Sequence, residues 1–337
     1  MDITEDQHNM TVQYCFPDNN LSCIMVVRTG PGNMLLFIFL SCISVCTVFL
    51  NLLVIISISH FKQLHTPTNL LVLSLAVADL LVGLIVMPVK IMELVDNCWY
   101  LGKTACSLFP VIVYIIVSAS NGSLVFIAID RYIAINDPLL YSTKITVFKT
   151  SMFIVINWSC SVLYNFLFYY FEGHLLQTEK FTSCIGECVV AQDFSSSIAD
   201  LVISFICPCS VIILLYMKIF KVAIQQAKTV NAVEYDNAHG RGVKGSKNKA
   251  AKTLGIVICV YVAIWIPYYI SSVSFESITS LSVVWTVFSW LIYTNSTVNP
   301  LIYAIFYPWF RISVKYIITC RIFDSSPSKV NLFPECS

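Results

Sequence analysis

The chain is 337 residues long, 57% hydrophobic and only 12% charged, with a formal net charge of +1. A soluble domain carries about 25% charged residues, so most of this chain is shielded from water. With no basic patch standing out from the loops, nucleic acid is excluded as a partner.

In chain order, residues 1–33 form a polar tail with Asp2, Glu5, Asp6 and Asp18. It lacks the apolar stretch of a cleavable leader, so the first span is expected to act as its own insertion signal. Sequons at Asn9 and Asn20 mark this tail as extracellular and glycosylated. Apolar spans follow near 34–59, 69–92, 104–136, 147–171, 195–225, 250–273 and 281–307. Each reaches the roughly 20 residues that cross a bilayer core. Only helices and closed barrels satisfy their backbone in lipid, and these spans show no period-2 alternation. The expected fold is therefore all-α, a seven-transmembrane helix bundle over 34–307. Residues 308–320 set Trp309, Phe310, Ile312 and Ile317 around Arg311 and Lys315, the pattern of an amphipathic helix on a membrane surface. Residues 321–337 are left as a cytoplasmic tail.

Orientation follows from the cations. With the N-terminus outside, only Arg28, Lys90, Lys103 and Lys180 of the 20 Lys and Arg face outward. That bias is the positive-inside rule, and it predicts a multi-pass plasma-membrane protein. Cys15, Cys23, Cys98, Cys106, Cys184 and Cys188 then lie outside, where disulfides persist.

An ionisable side chain at the centre of a span costs about 2.5–3.5 kcal/mol unless it finds a partner or water. Asp79 sits in the second span, Asp130 and Arg131 at the inner end of the third, and Asp200 in the outer half of the fifth. Lys90 and Glu93, three residues apart, are expected to pair. Asp79 has Asn51, Ser120, Asn295, Ser296 and Asn299 as company from other spans. That set of oxygens is expected to form a hydrated polar cluster of a size for sodium.

Asn51, Leu75-Ala76-Val77-Ala78-Asp79, Asp130-Arg131-Tyr132, Trp158, Pro208, Tyr216, Trp265-Ile266-Pro267 and Asn299-Pro300-Leu301-Ile302-Tyr303 fall in order on successive spans. The chain resembles the rhodopsin-like G-protein-coupled receptors over about 34–320. The run from Asn295 to Phe310, Cys98-Trp99-Tyr100 and Lys249-Ala250-Ala251-Lys252-Thr253-Leu254 resemble the trace amine-associated receptors more narrowly. The resemblance implies a disulfide between Cys106 and Cys188, and another joining Cys184 to Cys15 or Cys23. It also implies amine ligands, olfactory use, and coupling of Asp130, Arg131, Tyr132, Tyr216, Asn299, Pro300 and Tyr303 to a stimulatory G protein and cAMP.

One departure moves the ligand site. Related receptors hold an ammonium with an aspartate seven residues after the cysteine of the third span, and here that position is Val113. Asp200, eight residues before Pro208 and so about 12 Å above it on a helix, is the replacement anion expected. Ser204 is its nearest alternative partner. Val113, Tyr114, Val117, Trp265, Tyr268, Tyr269 and Tyr293 are expected around the rest of the ligand, with Glu187 as a weaker second anion. Lys247 stands where many relatives place an acid facing Arg131, which predicts a weakly locked, basally active receptor.

The rivals are a non-amine ligand, a transporter or channel, a retinal photoreceptor and an enzyme. No internal repeat favours a transporter. The seventh span holds no lysine for a Schiff base, and the histidines lie in loops or tails, so no catalytic residue is assigned.

Overall fold

A computed structural model of the chain describes residues 13–25, 30–171, 184–188, 194–234, 260–271 and 283–319. Helices dominate it: α1 is Pro31–His60, α2 Pro67–Asp96, α3 Gly102–Asn136 and α4 Val147–Phe171. α5 opens as Phe194–Asp200, passes through a π turn Leu201–Ile206 and continues as Cys207–Glu234. α6 is described as Val260–Ser271, α7 is Val283–Phe306 and α8 is Pro308–Ile318; a short helix Pro138–Lys144 joins α3 to α4. Among the described residues, α1 to α5 contain stretches long and apolar enough to cross a membrane. Asn9, the inner part of 250–273, Lys247 and 321–337 lie outside the described residues.

Local chemistry sets the boundaries. Pro31, Pro67 and Pro308 open α1, α2 and α8, where a missing N–H costs nothing because the first turn has no acceptor for it. The Thr66 side chain caps α2 by accepting from the Asn69 amide at 3.3 Å. Asn97 ends α2 in the left-handed region, at φ 62°. The bundle turns a water-soluble core inside out. Val45, Phe148, Leu163 and Leu214 point outward, whereas Thr47, Asn51, Asp79, Ser123 and Asn165 are buried. Lipid imposes that exchange, since apolar side chains lose nothing by facing it and polar ones must find each other. α8 packs Trp309 and Phe310 against Val54, Ile58 and Leu75 of α1 and α2.

Asn121, Asn157 and Asn295 occur in sequons within spans, and each serves the interior. Asn157 donates to the Ala119 carbonyl at 2.9 Å. A Cβ at Gly122 would fall 1.9 Å from Asn157 Oδ1, so only glycine lets α3 and α4 approach this closely.

Two π turns shape the end of the bundle that carries the disulfides. Val82–Val86 precedes Pro88, and Leu201–Ile206 precedes Pro208, each by the same two residues. A proline has no N–H to give the carbonyls one turn back. In both helices a side chain supplies the donor: Ser44 Oγ to the Gly83 carbonyl at 2.9 Å, and Asn121 Nδ2 to the Ser204 carbonyl at 3.1 Å. Asn121 also accepts from the Tyr261 hydroxyl at 3.0 Å, so one buried amide ties α3, α5 and α6.

Asn121→Leu strands the Tyr261 hydroxyl and the Ser204 carbonyl in the core, which costs about 1–3 kcal/mol for each group left unsatisfied. The purified variant is expected to melt several degrees below wild type in a thermal-shift assay. Equal melting temperatures would show that the amide bears no weight.

Candidate ligand site

Three disulfides close one end of the bundle. Cys106, at the start of α3, is bonded to Cys188, with Cα atoms 5.7 Å apart. Of the two partners left open for Cys184, Cys23 is the one bonded. Cys15 pairs instead with Cys98, which the sequence left without a partner. Backbone bridges Tyr14–Ile24 and Ser22–Ile185 fold the N-terminal segment into a clasp over residues 184–188. Gly186 permits it: φ is +104°, and a Cβ would stand 2.8 Å from Cys15 Cβ. Asn20 is exposed on the clasp.

Beneath lies a cavity of about 230 Å³. The residues expected around a ligand, Val113, Tyr114 and Val117 of α3, Ser204 of α5, Trp265, Tyr268 and Tyr269 of α6, and Tyr293 of α7, all line it. The aromatic members are ordered against one another. Phe205 stacks on Tyr269 with centroids 4.9 Å apart, Trp265 stacks on Tyr269 at 5.9 Å, and Tyr268 meets Tyr269 edge-on at 5.2 Å. Trp265 Nε1 is buried and has no hydrogen-bond partner.

Asp200 is not itself on the cavity wall; it stands behind two residues that are. It ends the first segment of α5 and is 7% exposed. Ser204 Oγ donates to its Oδ1 at 2.7 Å, and the Tyr269 hydroxyl reaches its Oδ2 at a long 3.5 Å. Among the described residues no cation pairs with it. Glu187 lies beside the Cys184 sulfur and does not line the cavity.

From their spacing alone, Lys90 and Glu93 are expected to pair only with each other. They do pair, Nζ to Oε2 at 2.8 Å, but both also line the cavity, at its α2–α7 side. The signal was Pro88, two residues before Lys90. A π turn inserts a residue and re-aims the helix face that follows.

Deeper in the bundle, Asn299 Nδ2 donates to Asp79 Oδ2 at 2.8 Å. Asn51 Nδ2 donates to the Thr47 and Ser296 carbonyls. Ser120, Asn295 and Ser296 are buried, and Asp79 Oδ1 and Asn51 Oδ1 are buried without a hydrogen-bond partner.

At the far end Arg131 donates to Asp130 through Nε at 3.0 Å and Nη2 at 2.6 Å, and Nη2 also reaches Thr68. Asp130 accepts further from Thr68 at 2.7 Å and from the Tyr141 hydroxyl at 2.6 Å. Burial, then that bond to Asp130, holds the Tyr141 phenol above its ordinary value. Tyr132 carries Lys218 over its ring at 5.7 Å, and Tyr216 is buried in α5. Pro300 lies within α7, as does the backbone of Tyr303, whose side chain lies outside the described set.

Residues 50–303 match the family described as 7 transmembrane receptor (rhodopsin family). The chain is similar to trace amine-associated receptor 13c of Danio rerio, at 39% identity over 99% of both chains. It is also similar to trace amine-associated receptor 6 of Pan troglodytes, at 38% identity over 97% of both. Trace amine-associated receptor 7c of Rattus norvegicus is 37% identical, over 96% of this chain and 93% of that protein. Agreement along nearly the whole length, with the helices and disulfides described above, identifies this chain as a member of the rhodopsin family of seven-transmembrane receptors and, within it, of the trace amine-associated receptors.

Proposed function

We propose that this is a plasma-membrane receptor for small amines in which Asp200 holds the ligand's ammonium. The N-terminus is outside, Asn9 and Asn20 are glycosylated, the seven spans complete the bundle, and α8 lies on the inner membrane surface. The receptor signals through a stimulatory G protein to raise cAMP and serves chemosensation. One observation carries the reading: a buried carboxylate with no cation among the described residues, one oxygen of which is held only by a 3.5 Å contact from Tyr269. Hydrogen bonds to a charged partner are worth roughly 1.5–3 kcal/mol each, so an ammonium displacing Tyr269 gains more than it breaks. The names of the relatives, all trace amine-associated receptors, point the same way.

A second reading, a non-amine ligand, draws on Val113 in the cavity wall and on Ser204 and Tyr269 already bonding Asp200. Asp200→Asn separates the two. Amine-evoked cAMP is expected to lose at least about a hundredfold in potency, the equivalent of one desolvated charge pair, with surface expression kept. Unchanged potency would reject the anchor and favour the non-amine reading.

A ligand shifts the equilibrium between two bundle arrangements only by its difference in affinity for them. Here α6 pivots near Trp265 and Pro267, and Tyr216 and Tyr303 move toward Arg131 to open a cleft for a G-protein helix. Asp130, Thr68 and Tyr141 form the restraint on Arg131 within the described residues. With Lys247 in place of an acid, that restraint is weak and the receptor is basally active. Lys247→Glu is expected to lower ligand-free cAMP toward that of mock-transfected cells; identical values in both receptors would discard the idea.

The orphaned oxygens of Asp79 and Asn51 fit a sodium ion, with Ser120, Asn295 and Asn299 as further ligands or second partners. Replacing choline by sodium is expected to raise the melting temperature of the purified receptor, and Asp79→Asn to abolish that rise. A wild type indifferent to the exchange holds water there instead.

A further inference from the structure

The cavity has two unlike ends. Behind Ser204 and Tyr269 stands Asp200, a negative charge with no cation beside it among the described residues. On the α2–α7 side stand Lys90 and Glu93, bonded to each other at 2.8 Å, their side chains 34% and 26% exposed. Lys90 Nζ also lies 5.5 Å from the centre of the Phe109 ring, which favours a cation there. Thr286, Ser289 and Tyr293 of α7 line the same side. Val113, Val117 and Ile292 give the wall apolar positions that offer no hydrogen bond, beside the polar tips of Tyr114, Trp265 and Tyr268.

Charge in a low-dielectric space has to balance, because an ion left without a partner there costs several kcal/mol. Among the described residues Lys90 and Glu93 cancel and no cation stands beside Asp200, which leaves one uncompensated negative charge next to the cavity. One ammonium neutralises it. A second ammonium would leave the occupied cavity positive and stand next to Lys90. A carboxylate at the ligand's far end would leave it negative and stand next to Glu93. A neutral group able to donate and accept hydrogen bonds suits both members of the pair and the α7 hydroxyls.

We infer that the Lys90–Glu93 pair is the specificity determinant for the ligand's tail, selecting a monoamine whose far end is neutral and hydrogen-bonding, an amino alcohol in chemical class, over diamines and amino acids. The inference rests on the assignment of the ammonium to Asp200. It makes Lys90 and Glu93 a charge-counting filter: removing one member changes which tail restores neutrality.

The test is a ranking of four probes with one carbon chain, n-hexylamine, aminohexanol, hexamethylenediamine and aminohexanoate, by cAMP potency in cells with matched surface expression. Wild type is expected to respond to aminohexanol at concentrations about tenfold below those needed for the diamine or the amino acid. Lys90→Met leaves Glu93 uncompensated and is expected to bring hexamethylenediamine to the top. Glu93→Gln frees Lys90 and is expected to promote aminohexanoate. The double variant Lys90→Met/Glu93→Gln restores the count and is expected to put the monoamines first again, which also controls for misfolding of either single variant. A diamine or amino acid ranked first by wild type, or a ranking the single variants leave unchanged, overturns the inference. Loss of the ammonium anchor looks different: the amines would act with equal potency on Asp200→Asn. Silence toward all four probes would sink both.

Discussion

The proposed amine site depends on one buried carboxylate, Asp200, which no cation among the described residues neutralises. Two unit charges 4 Å apart attract by about 4 kcal/mol at an effective dielectric of about 20, so a buried carboxylate without a counter-ion has more to gain from an arriving cation than from any rearrangement of hydroxyls. Ser204 and Tyr269 hold Asp200 in the meantime, one closely and one at a distance where a hydrogen bond has lost most of its strength. Both holders line the cavity. Anything that binds Asp200 must therefore disturb a residue of α5 and a residue of α6 together.

The surrounding scaffold gives that disturbance somewhere to go. Ser204 offers its hydroxyl to Asp200 and its carbonyl to Asn121, and Asn121 accepts from Tyr261. The carbonyl is available because Pro208 has no N–H for it, so a backbone defect near the ligand site becomes a polar contact among three helices. Tyr261, Trp265 and Tyr269 lie along one face of α6 with their rings in sequence. At the other end, Arg131 is held by Asp130; Thr68 bonds both, and the Tyr141 hydroxyl donates to Asp130. Between the two sits the Asp79–Asn299 contact with its unsatisfied oxygens.

Much of this was legible in the sequence because lipid leaves few choices. Apolar runs had to be helices, and Asp79, Asp130 and Asp200 stood out against spans that otherwise hold few ionisable groups. The cavity wall was legible at Val113 and Val117, one turn apart on α3, and at the adjacent Tyr268 and Tyr269 of α6. What stayed hidden depends on geometry that spacing does not encode. The Cys15–Cys98 bridge needed the positive φ of Gly186 to bring the N-terminal clasp down onto the first loop. Lys90 and Glu93 looked complete as an i,i+3 pair, and only the π turn ahead of Pro88 shows why they face inward. The withdrawal of Asp200 behind Ser204 and Tyr269 could not be read either, because a helical register says which way a carboxylate points and not what stands in front of it.

The most direct measurement is a density map of the purified receptor with a bound primary amine. The ammonium nitrogen is expected within a charge-assisted hydrogen-bond distance, about 2.7–2.9 Å, of the Asp200 carboxylate, with the Tyr269 hydroxyl turned away from it. An ammonium resting on Glu93, with Asp200 still bonded to both Ser204 and Tyr269, would contradict it.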